Sequence, residues 1–130
     1  MITISKKVEY GLMFLTYLTK NKGVVSLNES AKELNLPYRF LAQIVGKLKT
    51  GEILDSKEGK GGGYSFLSGW DKKNLYDLMV ALGEDRRIVK CLGNEGSCLR
   101  VDRCQMRKVW GKIEEGLIDK LKEIKLTEIL

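Results

Sequence analysis

The chain has 130 residues, 43% of them apolar, which suits one compact core and a single domain. It contains no histidine, which removes Ser-His-Asp and Cys-His catalysis, histidine metal triads and the usual neutral-pH general base, so no enzyme is expected. Its formal charge of +6 fits a polyanionic partner.

The opening "MITISKKVEYGLMF" runs into charged, patterned sequence rather than a small-residue cleavage site. No stretch approaches the roughly 18 apolar residues of a membrane span. A cytoplasmic protein without a membrane partner is the expectation. From Ser5 to Lys22, Val8, Leu12, Leu15 and Leu18, flanked by Gly11, Phe14 and Tyr17, recur at helical spacing and predict a first helix. In "SLNESAKELNLP", Ser26 or Asn28 can cap a second helix whose Ala31 and Leu34 face inward. Pro37 then opens a third helix, which runs to about Thr50.

That third helix is the informative one. Phe40, Leu41, Ile44, Val45 and Leu48 fall on one apolar stripe. The other side presents Arg39, Ala42, Gln43, Gly46 and Thr50, with Lys47 and Lys49 on the flanks. Small, amide and basic side chains suit a groove of base edges and phosphates, because Gln and Arg can bond bases bidentately. An ordinary solvated face would look the same on this helix alone.

The segment after the helix favours the first reading. Ile53 to Ser56 reads as a strand, "KEGKGGGY" as a glycine-rich turn and Tyr64 to Leu67 as the returning strand. Helix, turn, helix and hairpin is the order of a winged helix-turn-helix, and the predicted fold class is mainly α with a small β-hairpin. Gly59 and the glycines at 61 to 63 are expected to bend the wing tip through positive φ, bringing Lys57 or Lys60 to a phosphate backbone. A nucleotide-cradling loop would end in Lys-Ser/Thr and open a helix, whereas a strand pattern comes next here.

"DKKNLYDLMVALGE" predicts a fourth helix, with Leu75, Leu78, Met79 and Leu82 inward and Gly83 as its stop. Cys104 to Lys125 carries Met106, Trp110, Ile113, Leu117, Leu121 and Ile124 at spacings of three and four. Such a stripe can pack on its own domain, or pair across a two-fold axis so that a homodimer meets two half-sites on DNA. The expected organisation is a winged-helix region over 1–83, a cysteine-bearing loop over 84–104, and a dimerisation helix with tail over 105–130, in one compact unit.

All three cysteines lie in "CLGNEGSCLRVDRC", at Cys91, Cys98 and Cys104, separated by six and five residues. In a reducing compartment an odd, clustered set points to metal or redox chemistry rather than structural disulfides. Soft thiolates favour iron–sulfur clusters, zinc or copper(I), and the spacing differs from the paired knuckles of structural zinc sites. Seven basic residues, Arg86, Arg87, Lys90, Arg100, Arg103, Arg107 and Lys108, stand against only Glu95 and Asp102 in this region, an excess that offsets the charge of a thiolate-bound cluster, serves DNA or forms a merely solvated surface.

Taken together, "ISKKVEYGL", "SLNESAKELNLPYRFLAQIVGKLKTGEIL", "GKGGGYSF" and "CLGNEGSCLRVDRCQMRKVW" span most of the chain, and it resembles the Rrf2 family of bacterial winged-helix regulators, IscR/NsrR type. The resemblance implies a homodimeric regulator of double-stranded promoter DNA, tuned by a 2Fe-2S or 4Fe-4S cluster. It implies Cys91, Cys98 and Cys104 as ligands, with Glu9 of the partner subunit, which matches a ligating aspartate of one member, as a candidate fourth; a small-molecule thiol or no fourth protein ligand are the alternatives, and Glu9 also reads as a solvated first-turn carboxylate favoured by the helix dipole. The implied DNA-binding residues are Arg39, Ala42, Gln43, Lys47, Lys57, Lys60, Gly62 and Tyr64. Ala42 stands at the family's specificity position, occupied elsewhere by glutamate. Glu58 matches a wing arginine, so Lys57 or Lys60 takes that role. Arg107 replaces a histidine ligand and excludes histidine ligation. Two other readings remain open: a repressor with a zinc or thiol/disulfide switch and no cluster, and a cluster-carrying or redox protein that uses its winged helix for protein contacts.

Overall fold

The computed structural model describes residues 3–84, 87–92 and 98–130, so Arg86 and Glu95 of the charged segment lie outside the described residues. Helix α1 (Lys6–Lys20) starts where Ser5 Oγ accepts from the Val8 N–H at 3.4 Å. It buries Val8, Gly11, Phe14, Leu15 and Leu18, whereas Leu12 and Tyr17 stay half-buried on its flank. Helix α2 (Leu27–Leu34) is capped by Ser26 and not Asn28, and it stops at Asn35, which takes the left-handed conformation at φ 53°. Helix α3 (Tyr38–Thr50) follows with Pro37 as its N-cap, one position earlier than a first helical residue. It buries Leu41, Ile44, Val45 and Leu48 against α1 and α2, and Phe40 meets Tyr10 edge-on at 5.4 Å.

Strands β1 (Leu54–Lys57) and β2 (Gly63–Phe66) pair antiparallel, Leu54 opposite Phe66 and Lys57 opposite Gly63. Both expected strands shift by one residue. Ile53 belongs to the corner: its N–H donates to Leu48 O and its carbonyl accepts from the Leu67 N–H, both at 3.0 Å. Val25, just before α2, exchanges two 2.9 Å bonds with Tyr64 and so adds one residue of edge to the hairpin. Beyond it, Trp70 stacks on Phe66 at 4.0 Å.

Helix α4 (Leu75–Ala81) opens with a reciprocal capping box between Asn74 and Asp77, sends Leu78 and Leu82 into the core, and ends before Gly83 at φ 72°. Helix α5 (Gln105–Glu123) is shorter than the uninterrupted helix expected to Lys125. After it the chain turns back as extended Ile124–Lys125 and closes with α6 (Leu126–Ile129). The Leu75 N–H donates to Ile124 O at 2.8 Å and the Leu126 N–H to Lys73 O at 3.0 Å, which plants Leu126 fully buried among the residues of the α1–α4 core. The expected α5 stripe divides: Trp110, Leu117 and Leu121 are half-buried against the chain itself, whereas Met106 (52%) and Ile113 (46%) are exposed, as is Val109 (47%), which lies outside that stripe. No helix among the described residues is long and apolar enough to cross a membrane.

Candidate functional site

The buried stripe of α3 fixes its opposite face. Arg39, Gln43 and Lys47, at successive turns, are all exposed, and Ala42 and Gly46 lie half-exposed between them. The helix carries no acidic residue, so nothing on it opposes an approaching phosphate. Lys49, placed on the flank from sequence, instead donates to Ser56 Oγ at 2.6 Å and ties the helix to β1. One residue of this surface was missed: Tyr38, 52% exposed at the first position of α3. An aromatic outside the apolar stripe and next to Pro37 was the sign available in the sequence.

In the wing, Lys57, Glu58 and Lys60 are exposed. Gly59 and Gly61 take φ of 88° and 76°, as expected of a bent tip. Gly62 does not adopt positive φ and is needed for a different reason: a Cβ there would lie 2.2 Å from the carbonyl oxygen of Lys57. Tyr64 is half-buried, pairs with Ser56 one residue from the turn, and has its backbone N–H and carbonyl committed to Val25. The result is a row of Arg39, Gln43 and Lys47 beside a lysine-bearing hairpin, an arrangement able to bond base edges from the helix and phosphates from the wing.

The thiols lie apart from this surface in sequence, but the chain leading to them is tied to α1. Ser5 donates to the Glu84 carboxylate, Lys7 Nζ stands 3.6 Å from the same group, and Lys7 also donates to Leu82 O at 3.4 Å. Cys91 is half-buried in a single 3-10 turn (Lys90–Leu92), Cys98 is exposed, and Cys104 is the half-buried N-cap of α5. All three are free thiols. Their chemistry fits a soft metal or an iron–sulfur cluster. Among the described residues, however, no three His, Cys, Asp or Glu side chains stand together as a ready metal site. Glu9 sits exposed in the first turn of α1, paired with Lys6 at 2.9 Å, and this pairing holds the Lys6 ammonium above its usual pKa. It borders a largely apolar groove of about 600 Å3 that Tyr10, Met13 and Tyr17 also line.

Comparison with known proteins places these features in context. The sequence model of the Rrf2 family, described as an iron-dependent transcriptional regulator, matches residues 4–130. The HTH-type transcriptional regulator IscR of Sodalis glossinidius is 28% identical over 113 residues, covering 87% of this chain and 68% of that protein. A putative HTH-type transcriptional regulator of Aquifex aeolicus is 26% identical over 129 residues, covering 97% and 90%. Among solved structures, CymR, the global cysteine regulator of B. subtilis, superposes with a TM-score of 0.73 at 26% identity, covering 99% of this chain and 96% of that one.

Proposed function

This chain belongs to the Rrf2 family of transcriptional regulators, and on that premise we propose a homodimer whose hold on promoter DNA is set by an iron–sulfur cluster on Cys91, Cys98 and Cys104. Glu9 of the partner subunit completes the ligand set as a hard, readily displaced carboxylate. Such a group brings a redox-sensitive iron held by soft sulfur. One observation carries the reading: Cys104 caps the same helix, α5, that bears the exposed apolar row Met106, Val109 and Ile113. A change at the thiols therefore acts at one end of the helix through which two copies would pair. Because both half-sites must be met at once, a small change in the spacing of the two α3 helices alters DNA affinity.

Arg39, Gln43 and Lys47 enter the major groove in this reading, and Lys57 and Lys60 contact phosphate. Arg39→Ala and Gln43→Ala should each cost operator binding about 1–3 kcal/mol and relax base preference. Lys60→Ala should weaken all sequences alike and lower the salt slope by about 1. Fluorescence anisotropy with operator and scrambled duplexes over a salt series reads both effects, and unchanged binding in all three variants would misplace the interface.

The deciding experiment compares anaerobically reconstituted and cluster-stripped protein. Iron and sulfide should co-purify with the wild type and be lost in Cys91→Ala, Cys98→Ala and Cys104→Ala, and Glu9→Ala should weaken retention. Operator affinity should differ between the two forms by at least about fivefold. Equal affinity would end the regulatory account. A second reading, a thiol or zinc switch without iron, is favoured by the solvent exposure of Cys98 and the likeness to a cysteine regulator. Stoichiometric zinc without sulfide would select it.

A further inference from the structure

Arg107 cannot ligate iron, yet it is half-buried and its Nε–H donates to the carbonyl oxygen of Cys91 at 3.1 Å. Two more contacts lie on the same face of α5, four and seven residues further on. At Gly111 the helix surface is low, and an added Cβ would meet only Leu92, at 3.8 Å. At Glu114 the carboxylate accepts from the Ile88 N–H at 2.9 Å. Residues 88–92 thus rest on a seat made of Arg107, Gly111 and Glu114, and the Leu92 N–H closes the turn on Val89 O at 3.2 Å.

We infer that Arg107 is a positioning residue for the thiol site: its Nε–H clips the Cys91 backbone to the first turn of α5, the helix that Cys104 caps. The inference deepens the cluster reading and rests on it. Two of the three thiols then belong to backbone already ordered before metal arrives, and the exposed Cys98 closes on them. Ordering two ligands in advance lowers the conformational entropy lost on binding, and a ligand set with a fixed half holds metal longer than one that must be gathered whole.

The test separates the bond from the charge. The donor is Nε, so glutamine places its amide nitrogen the same number of bonds from Cα, without charge. Methionine has the same reach with no N–H, and lysine keeps the charge but carries its donor one atom further out. Hydrogen exchange of residues 88–92 is measured in cluster-free protein, and iron and sulfide retention in reconstituted protein under a chelator. In Arg107→Met, exchange should rise about fivefold, the equilibrium factor of one hydrogen bond of ordinary net strength, and iron should be lost correspondingly faster. Arg107→Gln should restore both, and the thermal midpoint should fall by no more than the few degrees that about 1 kcal/mol gives in Arg107→Met.

Three results overturn the proposal: unchanged exchange in Arg107→Met, faster exchange with unaltered iron retention, or a Gln variant that behaves like Met while Arg107→Lys behaves like wild type. If wild-type protein takes up no iron and sulfide, the cluster reading fails and this role with it. The exchange data keep that failure distinct, because they report the clip without any metal.

Discussion

Replacing Val109 and Ile113 together by glutamate should leave the protein monomeric and weaken operator binding by about a hundredfold or more, the advantage that linked binding to two half-sites typically supplies. The two side chains are 47% and 46% exposed and form, with Met106, an apolar row on α5 that the rest of the chain leaves open. In a two-fold contact each would meet its symmetry mate or a near neighbour, so paired carboxylates would be both desolvated and mutually repelled. The fold itself should survive, because neither residue belongs to the core that α1–α4 and Leu126 build. Sedimentation velocity would read the assembly and circular dichroism the fold. A variant that stays dimeric moves the contact elsewhere. A monomer that binds the full operator as tightly as wild type removes the need for two half-sites.

Leu126→Ala should cost about 2–5 kcal/mol of stability, the range for deleting a fully buried leucine where the surroundings relax only in part. Leu126 is 0% exposed, and its place is held by backbone bonds on both sides of Lys125: Leu75 N–H to Ile124 O and Leu126 N–H to Lys73 O. Emptying the pocket should loosen those bonds too, so exchange at the Leu75 amide should quicken along with the fall in the urea midpoint. Ile129, 38% exposed in the same helical turn, is the control: Ile129→Ala should change stability by no more than about 0.5 kcal/mol. A loss under about 1 kcal/mol for Leu126→Ala would mean the tail contributes little to the core.

The structure's departures from the sequence reading share a pattern. Helices α1 to α4 were legible because each carries its own apolar stripe, with Ser26 marking the start of α2 and Gly83 the end of α4; the Ser5 cap, the Asn74/Asp77 box and the left-handed Asn35 are equally local but were not read. The hairpin was legible as a hairpin but off by one residue. Ile53 and Leu54 are both buried, so alternation along the strand could not say which of them begins the pairing. The outward face of α3 followed directly from its buried one, which is why Arg39, Gln43 and Lys47 were all placed correctly on the surface.

What local pattern carried no trace of were the contacts made across long stretches of chain. A spacing of three and four along α5 does not distinguish residues facing home, such as Trp110 and Leu121, from the exposed Met106 and Ile113, because the helical repeat lets one stripe drift across two faces. The return of Leu126 to Lys73, the hold of Lys7 and Ser5 on Glu84 and the clip from Arg107 to Cys91 each join residues that no helical or strand period relates. By itself the sequence determined helices α1 to α4, the hairpin, the outward side of α3 and the thiol inventory, since these depend on neighbours within a turn or two. Only the tertiary structure decided how residues 88–92 are seated and where the tail ends, since those contacts form when distant segments are packed together and their burial offsets the entropy of closing the chain between them.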